Sequence, residues 1–221
     1  MSLEVTIRNS IGDDFQEVKR YFLDNLSDYN VARSDDVLLE RIGQRKFVII
    51  EQRGVGFVGV SGTFDYGEDG DYREAGATRI TLNGFGFQRI LHYARALHEF
   101  ILDYSYAAYF GTVVDGNTRS IRNIESIGFE KWPDPDPLLV AEKAKASKPG
   151  RKVEYYRLPN ARLVDHAVAL LQLEANPVLQ RPDRNKPGAF ETARLTLDLE
   201  ILNEHHPVVE QIAGGDIDIH D

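Results

Sequence analysis

Two glycines, Gly84 and Gly86, stand between an apolar run, Ile80-Thr81-Leu82, and a segment in which Phe87, Ile90, Leu91, Ala94, Leu97 and Ile101 recur at three- and four-residue steps. That spacing puts the six side chains on one face of a helix. A strand that passes through close glycines directly into a helix leaves the first backbone N–H groups of the helix unpaired, and together they make an anion site. Having no Cβ, both glycines let a phosphate approach the main chain and take positive φ without strain. The chemistry on offer is diphosphate binding, although the same pattern also serves as a plain tight turn.

A second strand-like run follows at Tyr109 to Val114, then an Asp115-Gly116-Asn117 turn, then Ser120, Ile121, Ile124 and Ile127 at helical spacing. Gly128 stands where a helix C-cap belongs, and Phe129 follows it.

This succession of strand, glycine loop, helix, strand, Asn-led short helix and Gly-Phe ending resembles the GNAT superfamily of N-acetyltransferases, over residues about 3–158. The family's loop, Arg/Gln-x-x-Gly-x-Gly/Ala, cradles the diphosphate of acetyl-CoA. Thr81-Leu82-Asn83-Gly84-Phe85-Gly86 matches both glycines and departs at the first position, where Thr81 replaces Arg or Gln. The second motif, Asn-x-x-Ala-Ile-x-x-Tyr-x-x-x-Gly-Phe, aligns with Asn117, Ser120, Ile121, Ile124, Gly128 and Phe129. Ile124 stands where many members carry a tyrosine that protonates the leaving thiolate.

The resemblance implies a set of roles. Ile80, Thr81, Leu82, Gly84, Phe85, Gly86, Phe87 and Gln88 would hold acetyl-CoA, with Asn117 and Ser120 near its pantetheine arm. Glu74, the nearest carboxylate on the strand before the loop, would take the amine proton, with Asp65 and Glu68 as alternates. Tyr156 is the candidate proton donor to sulfur in place of Ile124, with Tyr104, Tyr155 or water as alternates, and Asn117 is a further catalytic candidate. Each residue also has a plainer reading: Glu74 as a solvated strand-edge charge, Asn117 as a turn residue, Ser120 as a helix cap and the tyrosines as ordinary core residues with wet tips.

Other chemistries find little support. His92 and His98 are six apart on the central helix, outside the i, i+4 geometry of a helical metal pair, and His205-His206 has no partner at ligand spacing. No metal is expected. There is no Gly-x-Ser-x-Gly elbow, and with no cysteine there is no disulfide, thiolate site or cysteine nucleophile.

The elements that must position these residues follow from pattern and composition. The net charge of −9 would repel phosphate backbones and anionic membranes, so neither nucleic acid nor membrane is an expected partner, and an amine acceptor fits better. No run is long enough to span a bilayer and no secretory pattern opens the chain, so the cytoplasm is the expected location. Leu3, Val5 and Ile7 alternate as a half-buried strand. Phe15, Val18, Phe22 and Leu26 make one helix, and Ser34 caps a second through Val37, Leu38 and Ile42. A hairpin over Phe47–Ile50 and Val55–Val60 and a strand from Arg73 to Leu82 complete a meander.

The expected class is α/β (α+β), a mixed, mostly antiparallel sheet flanked by helices, with a central strand pair whose splaying comes from the resemblance. After Phe129 come an edge strand cut by Pro133, a long loop with a helical turn at Val140 to Ala146, and a final strand at Val153 to Leu158. Residues 159–221 read as a helical extension: Leu163, Ala167, Leu170 and Leu171 give one helix, and Phe190, Ala193, Leu197 and Ile201 give another. The pair is too small for its own core, so it should pack on the 1–158 domain or on a second copy, giving a homodimer.

Three functions fit: acetyl transfer from acetyl-CoA to a primary amine, transfer from a longer acyl thioester, and an inactive binding module that keeps the fold.

Overall fold

The computed structural model describes residues 2–25, 33–67, 70–103, 105–146, 150, 152–183, 185–217 and 219. Leu26, Glu68 and Tyr104 lie outside the described residues. The chain runs β1 (Ser2–Asn9), α1 (Phe15–Asp24), α2 (Asp35–Gly43), β2 (Phe47–Gln52), β3 (Gly56–Tyr66), β4 (Tyr72–Ile80), α3 (Phe87–Leu102), β5 (Ala108–Val114), α4 (Thr118–Glu125) and β6 (Glu130–Lys131). It continues with α5 (Pro137–Ala146), β7 (Val153–Arg157), α6 (Arg162–Ala175), β8 (Val178–Pro182), β9 (Phe190–Asp198), α7 (Glu200–Asn203) and α8 (His206–Gly214).

Among the described residues the strands form one sheet in the order β6-β7-β5-β4-β3-β2-β1-β9-β8. Only β4–β5 and β1–β9 are parallel pairs. The sheet separates two cores. On one face α3, α6 and α8 pack through residues such as Leu91, Ala94, Leu97, Leu170 and Val209; on the other, α1, α2 and α5 bury Val18, Ile42 and Leu139. The central strand β2 feeds both cores, Val48 and Ile50 to the first and Phe47 and Ile49 to the second. Its unbroken apolar run is what burial on both faces requires.

Helix α3 buries the face read from its periodicity: Phe87, Ile90, Leu91, Ala94 and Leu97 are all in the core. Burying one such side chain stabilises by roughly 1.5–3 kcal/mol. Ser34 caps α2 by accepting the N–H of Val37 at 3.4 Å, and the Asn117 side chain caps α4 by accepting that of Ser120 at 3.2 Å.

Two readings are corrected. Residues 190–198 form strand β9 instead of a helix, and of the four residues read as that helix only Ile201 is helical, in α7 (Glu200–Asn203). β9 pairs in parallel with β1 from Ser2–Thr192 to Arg8–Asp198, and β8 closes the edge beside it, so the C-terminal segment extends the main sheet. The helix after the Pro133–Pro137 run is also longer than a turn. Asp136 accepts the N–H of Leu138, Pro137 takes the first helical position, and α5 spans 10 residues across the α1/α2 face.

Candidate active site

The parallel pairing of β4 and β5 stops early. Tyr72, Arg73 and Glu74 register with Ala108, Tyr109 and Phe110, and beyond Glu74 the two strands part. The gap opens a cleft of about 330 Å³, walled by Glu74–Arg79 of β4 and Thr112–Val114 of β5. Gln88 and His92 of α3 with Asn117, Ser120 and Ile124 of α4 line one part of it; Phe22 of α1, Leu38 of α2, Arg33 and Lys143 of α5 line another.

A bulge bends β4 along this wall. Val60 pairs with Arg79 and Gly62 with Gly76, so Ala77 and Thr78 together face Ser61. Ala77 takes φ +48°, a left-handed backbone that costs a non-glycine residue about 1 kcal/mol. The buried Arg95 of α3 supports the bend: its Nη1 donates to the carbonyls of Gly62 and, at 3.2 Å, Gly76.

The cleft leads to the glycine loop. Gly84 and Gly86 have φ of +94° and +81°, and Gly86 immediately precedes α3. Among the described residues, none of the N–H groups of residues 84–88 has a hydrogen-bond partner. Unpaired amides ahead of the helix are what the spacing predicts. The amides of Thr81 and Leu82 differ: both donate to the Val58 carbonyl, at 2.9 and 3.4 Å, and Ile80 is held opposite Gly59 as the last residue of β4. Phe85 and Phe87 turn their rings into the core, where they lie 5.6 Å apart.

Gln88, Asn117 and Ser120 are brought together on the cleft wall. Capping occupies Oδ1 of Asn117, while its Nδ2 has no partner among the described residues.

Glu74 sits at the fork and is 3% exposed. Arg33 donates to it at 2.9 Å, Thr112 at 2.8 Å, and Lys143 forms a close ion pair with it. Burial would raise its pKa, but Lys143 and Arg33, with the Lys143 and Thr112 hydrogen bonds, outweigh burial and bring it to about 2. A base so far below neutrality takes a proton poorly. Neither the solvated-edge reading nor the general-base reading fits this carboxylate; it clamps Arg33, β5 and α5 at the point of separation.

Tyr156 does not reach the cleft. Its ring lies in the core with Ile124 and Phe129, and its hydroxyl donates to Glu154 at 2.9 Å. Burial and that carboxylate push the phenol up to about 12. Tyr155 stacks on Phe110 with centroids 6.3 Å apart, and Asp65 is held by Arg41, with Lys46 and Arg73 close by; neither lines the cleft.

His92, whose spacing from His98 is wrong for a helical metal pair, lines the cleft. Arg95 Nη2 lies 3.0 Å from its Nδ1. Because a guanidinium can only donate, Nδ1 accepts and the ring proton sits on Nε2. Burial, with Arg95 and His166 nearby, holds this imidazole well below its ordinary pKa and therefore neutral. Nε2–H has no protein partner among the described residues and is left to the cleft.

Away from the cleft, Glu200, Glu204 and His205 bring ligand-type atoms within 4.8 Å of one another, and Arg45 lies 3.5 and 3.6 Å from the two carboxylates. Among the described residues no helix is long and apolar enough to cross a membrane.

No protein-family model and no curated protein matches the sequence. Solved structures do match. A protein from Salmonella typhimurium assigned as an acetyltransferase, solved with its cofactor acetyl-CoA, superposes with TM-score 0.51 at 17% identity, covering 70% of this chain and 92% of that one. A protein from Acinetobacter baylyi assigned as an acetyltransferase gives 0.52 at 15% identity over 72% and 94%. One from Bordetella pertussis assigned to the GnaT family gives 0.50 at 15% identity over 69% and 93%. With its parted β4 and β5 and the glycine loop between β4 and α3, this chain has the GNAT N-acetyltransferase fold over about 70% of its length.

Proposed function

We propose that the protein is an N-acetyltransferase that moves an acetyl group from acetyl-CoA to a primary amine of a small molecule or a protein by direct attack. The observation that carries this is the coincidence of a parted strand pair with unbonded N–H groups at residues 84–88 beside its opening. The amides suit a diphosphate, and the free edge of β4 suits the amides of a pantetheine arm as an added strand would. The Salmonella protein's acetyl-CoA supports the same reading. Residues 1–158 are then the acyl-CoA-binding unit, and 159–221 an extension that packs on it.

In the reaction the neutral amine attacks the thioester carbonyl carbon, the C–N bond forms, the C–S bond breaks, and the proton shed by nitrogen passes to water and finally to sulfur. Glu74 holds the fork together. Nε2–H of His92 donates a hydrogen bond to the departing sulfur, a task Ile124 cannot perform. A neutral imidazole suits this as a fixed donor that need not lose its proton.

Among the described residues the cleft wall carries Lys19, Arg33, Arg79 and Lys143 against Asp35 and Glu74. A homodimer would form at the exposed edge of the β8–β9 hairpin, where Val178 of β8 and Phe190 of β9 are on the surface, and light scattering tests it.

Thiol release from acetyl-CoA and longer acyl-CoAs, measured against a panel of amines, tests the activity and the acyl length. One observation favours a second reading, a CoA-binding module without turnover: neither Glu74 nor Ile124 is suited to proton transfer. CoA binding without thiol release for any amine would select it.

A further inference from the structure

We propose that Arg181, on strand β8 of the C-terminal extension, is a diphosphate-binding residue, supplying from outside the fold's own loop the cation that Thr81 does not. The inference rests on the acyl-CoA reading above. Three contacts fix Arg181 to the glycine loop. Its Nη1 donates to the carbonyl of Asn83, its guanidinium lies 4.5 Å from the centre of the Phe85 ring, and its Cδ passes 3.2 Å from where a Cβ on Gly84 would stand. The last contact gives Gly84 a second requirement besides its φ of +94°: a side chain there would displace the arginine stem.

The guanidinium therefore lies beside the unbonded N–H groups of residues 84–88. Nε donates to Glu191 of β9, while Nη2 has no protein partner among the described residues and the side chain is 18% exposed. Arginine offers a planar fork of donors suited to phosphate oxygens. Glu191 pairs with it, so the carboxylate holds the arginine in place and also weakens its pull on an anion. The two residues come from neighbouring antiparallel strands, with Arg181 in register with Glu191. Sheet pairing thus aims the cation at the loop, and the extension becomes part of the binding site.

Calorimetric binding of CoA and of dephospho-CoA, which keeps the diphosphate and lacks the 3′-phosphate, tests the proposal on the full chain. Arg181→Ala is expected to weaken both ligands by the same factor, about tenfold. Glu191→Gln is expected to tighten both about threefold by releasing the cation, which a purely structural ion pair would not do. If the alanine variant fails to fold, the glutamine variant decides the question alone. Unchanged affinity in Glu191→Gln, or a loss in Arg181→Ala confined to CoA, overturns the assignment while leaving the acyl-CoA reading intact. Failure of the wild-type protein to bind either ligand removes that reading itself, and this proposal with it.

Discussion

Glu74 and Lys143, 69 residues apart in the chain, form a buried ion pair at the point where β4 and β5 separate. Removing one partner of such a pair costs about 3–5 kcal/mol, because the other charge stays buried. Glu74→Ala leaves Arg33 and Lys143 facing each other in the cleft and should lower stability by about that amount in urea titrations. Glu74→Gln keeps the shape and one acceptor and should lose less. If Glu74 were instead the general base, the glutamine variant would keep its fold and lose nearly all turnover.

His92→Asn keeps an acceptor for Arg95 and removes the Nε2 donor. It should leave CoA affinity unchanged and reduce turnover about a hundredfold, the effect typical of one lost transition-state donor. His92→Gln, which can present an amide N–H near the Nε2 position, should recover part of the loss. The thiolate absorbance of bound CoA gives a check that needs no acceptor: the thiol should titrate about one unit higher in the asparagine variant. The charged groups that line the cleft, Lys19, Arg33, Asp35, Glu74, Arg79 and Lys143, and Arg95 against His92, are the same in both proteins.

Gly111 of β5 is packed against α4. A Cβ there would stand 2.6 Å from Ile124 Cδ1, closer than atoms pack, so Gly111→Val must push Ile124 toward the cleft. Stability should fall by about 1–3 kcal/mol and CoA affinity should drop with it. Wild-type CoA affinity in this variant would show that Ile124 does not border the pantetheine arm.

Acid should weaken the protein in two stages. His166 donates Nε2–H to the Ile127 carbonyl at 2.8 Å, and burial outweighs that bond and lowers its pKa to about 4 from 6.5. The unfolded chain binds this proton first, so the stability is complete above about pH 6.5 and is lost as pH falls toward 4. Glu74, lowered from 4.5 to about 2, contributes above about pH 4.5 and loses its share as pH falls below that. Urea midpoints at pH 7.5 and pH 5 for the wild type and His166→Phe separate the stages. The variant should lose about 2 kcal/mol less between the two, and an equal loss would contradict the assignment.

Much of the fold is legible because it is written locally. The one-sided apolar face of α3, the β2–β3 hairpin, the Asn117 cap and the Gly84–Gly86 loop each depend on residues close in sequence. β9 is not legible locally, for the opposite reason. Phe190, Ala193, Leu197 and Ile201 fit helical spacing, while Ala193, Leu195 and Leu197 fit a strand equally well, and the choice was made by pairing with β1 at the far end of the chain. Thr192 and Thr196 on the other face were the local hint. Asp136-Pro137, a cap followed by a first-turn proline, was the legible start of α5.

The site was half visible. The amides of residues 84–88 and the cleft-lining Gln88, Asn117 and Ser120 come from motifs. The clamp on Glu74, the Arg95 hold on His92 and the reach of Arg181 to Asn83 all join distant segments. Spacing within one segment carries no trace of them.

A titration of the isotope-labelled protein with CoA, followed by amide nuclear magnetic resonance, tests the central claim most directly. The largest shifts should fall on the N–H groups of Gly84, Phe85, Gly86, Phe87 and Gln88 and on the parted edge of β4 from Ala75 to Thr78, and Gly86→Glu should abolish them. Shifts gathered elsewhere, or none at saturating CoA, would contradict it.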